Sequence, residues 1–289
     1  MIGFVNVFKP EGETSSRTVQ FVKHVLINKL GCDKKIKVGH FGTLDPEASG
    51  VLPIAVGNAC RLFDYSLNKR KVYRAEVYFG LTTDTLDIFG NTIEEVDVNV
   101  SSSQVENVIS SFPHEYDQIP PNVSAKSIGG VRAYKLARQG VDFILPAKRV
   151  SIYELRFLRQ SSTNVFEIEV ECSAGTYIRS LCRDIGEALG IPACMGKLLR
   201  LKSGEFSTLN SVTKEDFEKN PEKYIIPVDI LLTAFSEYKP SCEDLIKMKN
   251  GVLIDCDIEN GLYKVFEEDE IVGLAEVKDG KIKFTTRLQ

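Results

Sequence analysis

One stretch of the 289-residue chain combines polar side chains with backbone-shaping residues at a spacing that could support catalysis. It runs from Gly39 to Pro53 and places His40, Thr43 and Asp45 between glycines and prolines. Glycines permit backbone conformations that other residues avoid, and a proline after an aspartate fixes a turn. Such a loop would present the carboxylate of Asp45 from a rigid base.

The same aspartate also has a simpler interpretation. An Asp-Pro pair often begins a helix, with the aspartate as N-cap and the proline at the first helical position. Asp45 could therefore cap a short helix that starts at Pro46. The local sequence leaves both interpretations open, and evidence from the rest of the chain is needed to choose between them.

The composition is that of an ordinary globular protein, with 43% hydrophobic and 26% charged residues. No apolar run approaches the roughly 20 residues of a membrane span, and no signal peptide is visible, so we expect a cytoplasmic protein. The seven cysteines form no C-x-x-C pair, and only three histidines are present. This pattern predicts reduced thiols and no metal site.

The net charge of -4 conceals an uneven distribution. Residues 201–289 carry a net charge of -6, whereas residues 17–74 carry +7 and residues 126–159 carry +6. Two basic segments on a nearly neutral body predict a phosphate-binding surface. Lysine-rich surface helices without a ligand are the alternative.

The hydrophobic pattern predicts strands and helices that would position the loop. We expect strands over 3–8, 73–79, 165–172 and 197–207, and helices over 16–30, 101–112 and 178–189. A serine after the first strand would cap the first helix, and Gly31 would end it. Residues 80–90 read as a polar loop between glycines, and one short helix is expected around Arg132 to Gln139.

The last 60 or so residues form an acidic segment with its own pattern. It predicts a helix over 242–249 and strands over 263–266, 271–277 and 282–286, separated by glycines. This composition indicates a small β-rich unit.

Two more residues lie where strands begin or end, which is where functional side chains are usually mounted. Tyr73 opens a basic strand, and Arg179 follows the alternating strand 165–172. Together with the Asp45 loop, they resemble the active-site motifs of the bacterial tRNA pseudouridine-55 synthases, the TruB family. Five segments in order carry the resemblance over residues 3–205: Lys9–Ser15, Gly39–Pro53, Lys71–Asp87, Gln118–Gly140 and Gly175–Leu181.

The resemblance implies an α+β fold, with a mixed, mainly antiparallel sheet flanked by helices and a small β-rich PUA-like barrel. Residues 1–228 would form the catalytic domain, with an RNA-gripping insertion at 115–150, and residues 229–289 would form a PUA-like RNA-binding domain. The implied reaction converts uridine 55 in the tRNA T-loop to pseudouridine. It would use no cofactor, metal or guide RNA, and we expect a monomer.

The resemblance also assigns catalytic roles. Asp45 would act as nucleophile at C1′ or as the base of a glycal route, and the sequence does not separate the two. Tyr73 would stack on the flipped base and later take its C5 proton. Burial disfavours an ionised carboxylate, whereas a guanidinium within about 4 Å favours it, and this is the role implied for Arg179.

Further residues would contact the RNA. His40 would take the place of the flipped base in the RNA stack, and Tyr177 and Leu198 would form walls of the base pocket. Gly42 and three basic residues of the insertion are also expected at the substrate, namely Lys126, Arg132 and Arg138. Val123 stands where the family usually has a tyrosine.

Two other functional classes stay open from the sequence. The chain could be a non-catalytic RNA-binding protein or tRNA chaperone that keeps the fold, or an N-glycosidase that releases the base. An intact set of Asp45, Tyr73 and Arg179 argues against the first, and detection of pseudouridine against free uracil would separate all three classes.

Overall fold

A computed structural model describes residues 1–66, 70–124, 127–128, 131–132, 139, 143 and 145–289. Two compact units account for the fold. The terminal unit comprises Met1–Pro46, Gly50–Leu67 and Glu205–Gln289, and the central unit comprises Glu47–Ser49 and Asn68–Gly204. The functional domains expected at 1–228 and 229–289, with the insertion at 115–150, stay a prediction.

The terminal unit starts with an antiparallel pair of strands and a long helix. Its elements up to residue 66 are β1 (Gly3–Lys9), α1 (Ser15–Leu30), β2 (Val38–His40), β3 (Ser49–Val56), a 3-10 helix (Gly57–Leu62) and α2 (Phe63–Ser66). β3 pairs with both β1 and β2. The N-cap of α1 is Thr14, whose hydroxyl accepts from the Arg17 amide, so the serine cap was wrong. Gly31 ends the helix at φ +65°, as predicted.

The C-terminal part of the terminal unit is rich in strands. It contains β13 (Phe206–Ser207), α5 (Lys214–Lys219), α6 (Asp229–Leu232), β14 (Ser236–Tyr238), α7 (Cys242–Lys249), β15 (Ile254–Asp255), β16 (Gly261–Glu267), β17 (Glu270–Lys278) and β18 (Lys281–Arg287). Short 3-10 turns lie at Thr208–Asn210 and Pro221–Tyr224. Five strands form one sheet in the order β14-β16-β17-β18-β15, which confirms the β-rich tail.

The central unit is built on a second, antiparallel sheet. Its elements are β4 (Lys71–Phe79), β5 (Leu81–Thr83), β6 (Thr92–Glu95), α3 (Ser102–Ser111), β7 (Glu115–Gln118), β8 (Ser127–Ile128), β9 (Val131–Arg132), β10 (Lys148–Ser162), β11 (Val165–Cys172), α4 (Ile178–Leu189) and β12 (Ala193–Ser203). The order β12-β4-β11-β10-β7 places β4 between β12 and β11.

Most of the expected elements are confirmed, with three corrections. The loop expected at 80–90 contains strand β5, and the strand expected at 197–207 begins earlier, at Ala193. The short helix expected from Arg132 is wrong at that residue, which lies in strand β9. Residues 133–138 of that prediction lie outside the described residues.

The two faces of the central sheet differ in character. On β11, buried Phe166, Ile168 and Val170 alternate with three glutamates that form ion pairs. Glu171 pairs with Arg70, Glu169 with Arg74 and Arg156, and Glu167 with Arg159. The alternation predicted from the sequence therefore separates an apolar inner face from a charged outer face.

Two general expectations can be compared with the fold. Within the described part of the chain, no helix has the length and apolar character of a membrane span. The seven cysteines are all described, and each is a thiol outside any disulfide.

Candidate active site

The loop that carries Asp45 is held by hydrogen bonds on both sides of the aspartate. The Ser15 hydroxyl accepts from the Leu44 amide and donates to the Leu44 carbonyl, with both distances 2.9 Å. On the other side, the Pro46 carbonyl accepts from the Gly12 amide at 2.9 Å. Since both neighbours are held, the half-buried Asp45 has little backbone freedom.

Buried Lys9 ties the same loop to the segment that precedes α1, and the side chain of buried Glu13 in that segment is itself held. The Lys9 ammonium donates to the carbonyls of Pro10, Glu13 and Pro46 at 2.7, 2.6 and 3.0 Å. The Glu13 carboxylate accepts from Thr18 and Lys214, each at 2.7 Å. Burial opposes ionisation of Glu13, but these hydrogen bonds outweigh it and hold its pKa below the ordinary value.

The alternative role of Asp45 as a helix cap is wrong. Pro46 and Glu47 form a turn, and the chain then enters strand β3 at Ser49 without helical residues between them. The proline therefore fixes a turn that leads into a strand, as the catalytic interpretation requires.

The residues before Asp45 are anchored in the core of the terminal unit. His40 ends β2 opposite Ile54, and its side chain is half-buried. The next ring, Phe41, packs edge-on against Phe4 and Phe63 at centroid distances of 5.3 and 5.4 Å. Gly42 has φ of +109°, a left-handed conformation that would strain any other residue.

In the central unit, Tyr73 lies on the inner face of β4. It is 7% exposed and sits directly between Val170 of β11 and Arg200 of β12. Leu198 lies opposite Ala75, one inward-facing position further along β4, and is also buried. The structure thus brings Tyr73 and Leu198 to the same face of one sheet.

Arg179, the second residue of α4, is buried and held by main-chain carbonyls. Its guanidinium donates to the carbonyl of Thr85 at 2.8 Å and to that of Val123 at 3.0 Å. Asp87 Oδ2 lies 3.7 Å from Nη1. Since Val123 contributes its main chain, this contact does not depend on the tyrosine usual at that position.

The buried side-chain amide of Gln118 holds the main chain of Tyr177 on both its N–H and its carbonyl. The Gln118 side chain accepts from the Tyr177 amide at 2.8 Å and donates to its carbonyl at 3.1 Å. The same side chain donates to the Tyr116 hydroxyl, which in turn donates to Asp184 at 2.8 Å. Burial and the Asp184 carboxylate raise the pKa of Tyr116 well above its ordinary value, so the hydroxyl remains a donor.

Three charged residues near Tyr73 and Arg179 were not assigned a role from the sequence. Arg200 is fully buried opposite Tyr73, and Asp87 lies beside Arg179. Lys71 shares the inner face of β4 with Tyr73, and burial lowers its pKa to about 8. The sequence did contain a signal that Lys71 lies near Tyr73. The two residues are two positions apart in a predicted strand, and alternate residues of a strand share a face.

The described part of the chain does not test the roles of the three basic residues expected to grip RNA. Lys126 and Arg138 lie outside the described residues, and only the backbone of Arg132 is described, in β9. Their roles stay predictions.

Two solved structures share this fold over nearly the whole chain. One is titled "Crystal Structure of a Cbf5-Nop10-Gar1 Complex", with a TM-score of 0.71, 24% identity and coverage of 99% of this chain and 85% of that one. The other, "Structure of H/ACA RNP bound to a substrate RNA containing 2'-deoxyuridine", has a TM-score of 0.70 at 23% identity, with coverage of 99% and 85%. The fold is that of the pseudouridine synthases, as predicted.

Sequence comparison narrows this class to a family. The family model for the N-terminal domain of TruB family pseudouridylate synthases matches residues 28–178, and that for the tRNA pseudouridylate synthase B C-terminal domain matches residues 179–233. Relatives named "tRNA pseudouridine synthase B" are 39% identical in Clostridium tetani and 38% in Aquifex aeolicus, each with 97% of both chains covered. The chain belongs to the TruB family of pseudouridylate synthases, which are isomerases.

Proposed function

We propose that the protein converts uridine 55 in the T-loop of tRNA to pseudouridine. The name shared by the relatives supports tRNA as the substrate, and the motifs that resemble the pseudouridine-55 synthases support the position. The target base would be flipped out of the folded T-loop before reaction, at a cost of a few kcal/mol.

The observation that carries the proposal is the fixed backbone around Asp45. Leu44 and Pro46, its two neighbours, are hydrogen-bonded to Ser15, Gly12 and Lys9. A carboxylate that attacks C1′, or that removes a proton in a glycal route, has to be held at a set distance and angle. A clamp on both neighbours fixes the backbone from which the carboxylate of Asp45 is presented.

Tyr73 and Arg179 would have the other two catalytic roles in the same reaction. Tyr73 would stack on the flipped uracil, which recovers about 1–3 kcal/mol, and would then take the C5 proton. Arg179 would keep the catalytic carboxylate ionised, and its two hydrogen bonds to carbonyls hold the guanidinium plane in place.

The remaining partners follow from the resemblance. The protein would bind the T-arm as a monomer in the cytoplasm, without a guide RNA, a cofactor or a metal ion. His40, Gly42, Tyr177 and Leu198 would line the base site, and the PUA-like tail at 229–289 would bind RNA.

The test uses an unmodified tRNA transcript with the wild-type protein and with Asp45→Asn. Nucleoside analysis of the tRNA and uracil analysis of the supernatant are made on the same reaction. Pseudouridine without free uracil is expected from the wild type, and tRNA binding without product from Asp45→Asn. Free uracil would indicate a glycosidase, and normal product from Asp45→Asn would remove the proposed role of that carboxylate.

A further inference from the structure

Three polar side chains share one end of an otherwise apolar sheet face. Lys71 and Tyr73 alternate on the inner face of β4, and Arg200 of β12 lies directly opposite Tyr73. On β11 the opposing residues are Cys172 and Val170. Residues directly opposite in an antiparallel pair have Cβ atoms about 4.5–5.5 Å apart, so Arg200 lies next to the tyrosine. Lys71 is the neighbour of Tyr73 on the same face, two residues earlier along β4.

A β-bulge determines which charges face this cluster. The register between β12 and β4 shifts between Arg200 and Lys202, so that Lys202 lies opposite Val72 and Ser203 lies opposite Lys71. Without the shift, Lys202 would oppose Lys71. The bulge therefore keeps Arg200 against Tyr73 while it directs Lys202 to the exposed face.

Burial strengthens the electrostatic interactions within the cluster, because less water is present to screen the charges. Arg200 has no exposed surface and Tyr73 is 7% exposed. Burial first, and then the charges of Arg200 and Lys148, lower the pKa of Lys71 to about 8. The thiol of Cys172 acts in the opposite direction, because its negative charge would raise the pKa of Lys71.

We infer that Lys71 and Arg200 form an electrostatic support for Tyr73, stabilising the phenolate that takes the C5 proton of the target base. This inference rests on the proposed role of Tyr73 as the base. Cations beside a buried phenol favour its charged form, because the attraction between opposite charges is stronger where water is excluded. Both are positioning residues, which act on the reaction through Tyr73.

The proton balance of the step is simple. The Tyr73 hydroxyl loses its proton to solvent, and the phenolate oxygen then bonds to the proton on C5 of the reattached base. The C5–H electron pair forms the C5=C6 double bond, the N1=C6 pair moves to N1, and N1 is protonated. Tyr73 ends as a neutral phenol.

Arg200 is poorly placed to bind an RNA phosphate. A phosphate contact needs an accessible ammonium or guanidinium, whereas Arg200 is completely buried. A support for the adjacent phenol requires no access from solvent.

The experiment measures single-turnover pseudouridine formation on tRNA transcripts made with uridine or with [5-²H]uridine. The variants are Lys71→Met, Lys71→Arg for rescue of charge, and Lys202→Met as a control on the exposed face of the same sheet. We expect Lys71→Met to slow turnover by about tenfold, which is the effect of one unit in the acidity of the phenol. Its deuterium isotope effect should exceed that of the wild type, because removal of the C5 proton becomes rate-limiting.

Lys71→Arg should restore most of the rate and the wild-type isotope effect, and Lys202→Met should match the wild type. A slower Lys71→Met with an unchanged isotope effect would overturn the inference, and so would a loss confined to tRNA binding, which would indicate an RNA contact. Arg200→Lys, which keeps the charge, gives a second test by the same isotope measurement.

Tyr73→Phe separates this inference from the proposed function. If that variant loses turnover while Lys71→Met shows a normal isotope effect, the base role stands and the electrostatic support does not. Full turnover by Tyr73→Phe would contradict both. Absence of pseudouridine from the wild-type reaction would contradict the proposed function itself.

Discussion

Charged side chains have different environments on the two faces of the central sheet. On the outer face, Glu169 and its neighbours on β11 alternate with arginines of β4 and β10 in exposed ion pairs. On the inner face, Lys71 and Arg200 lie beside Tyr73 within an apolar layer. Adjacent residues of β4 therefore belong to different electrostatic environments.

The charges on the outer face contribute to the stability of the fold, whereas those on the inner face contribute to the proposed reaction. Exposed ion pairs contribute about 0–1 kcal/mol each, and salt screens them. Lys71 is half-buried and its pKa is lowered to about 8, so its charged form destabilises the folded state. Such a residue is expected at a functional site.

The strongest contrast is between two tyrosines on opposite faces of β4. Tyr73→Phe should slow pseudouridine formation by roughly 10²–10⁴-fold, because it removes the proposed base while the ring can still stack. Tyr78, which is 37% exposed on the outer face, provides the matched control Tyr78→Phe, with a rate close to wild type. Rapid-quench kinetics on tRNA would measure both rates. Equal rates in the two variants would contradict the claim that the inner-face tyrosine takes part in the reaction and the outer-face tyrosine does not.

A buried arginine of helix α4 and an exposed arginine of the outer sheet face should differ in their effect on stability. Arg179→Ala leaves the carbonyls of Thr85 and Val123 without this donor, at a cost of about 1–3 kcal/mol for each. Arg74→Ala removes an exposed pair with Glu169 and should cost less than about 1 kcal/mol. Urea unfolding measures both. Similar losses in the two variants would show that the buried guanidinium is not held as described.

Lys71→Met should stabilise the protein at neutral pH. The folded state lowers the pKa of Lys71 from 10.5 to about 8, so below pH 8 the charged lysine destabilises the fold by up to about 3 kcal/mol. Between pH 8 and 10.5 the unfolded state binds more protons, so the stability of the wild type rises with pH and the advantage of methionine shrinks.

Urea unfolding of both proteins at pH 7 and pH 9.5 checks this prediction. Lys202→Met serves as the control, since Lys202 is exposed on the same sheet. Two results would contradict the described environment of Lys71. One is a Lys71→Met variant that is less stable than the wild type at pH 7, and the other is a difference in the free energy of unfolding that does not change between pH 7 and pH 9.5.

The smallest effect is expected on the outer face. Glu169→Gln weakens its pairs with Arg74 and Arg156 and should change the free energy of unfolding by less than about 1 kcal/mol. The change should diminish further in 1 M salt, because screening acts on exposed charges. A loss of several kcal/mol at high salt would show that these pairs hold the sheet together.

The sequence predicted the main strands and helices because their patterns are local. The alternation of Phe166, Ile168 and Val170 with glutamates defines β11, and Gly31 marks the end of α1. Thr14 was missed as the N-cap because Thr14, Ser15 and Ser16 are all good caps in sequence. Ser15 instead holds the backbone of Leu44, a contact between distant segments.

The candidate site was predictable only in part. Asp45, Tyr73 and Arg179 stand out in motifs, but the neighbours of Tyr73 depend on strand register. The bulge between Arg200 and Lys202 has no signature in the spacing of side chains, so the sequence did not reveal that Arg200 faces Tyr73. The carbonyl partners of Arg179 are equally hidden, because any residue supplies a carbonyl.

The most direct test of the central claim is to map pseudouridine along an unmodified tRNA transcript after reaction with the purified protein. Carbodiimide labelling and reverse transcription would locate each modified base. We expect one modification, at position 55, with none from Asp45→Asn and none in a transcript that carries cytidine at that position. Modification elsewhere with position 55 unchanged, or an unaltered map from Asp45→Asn, would contradict the account.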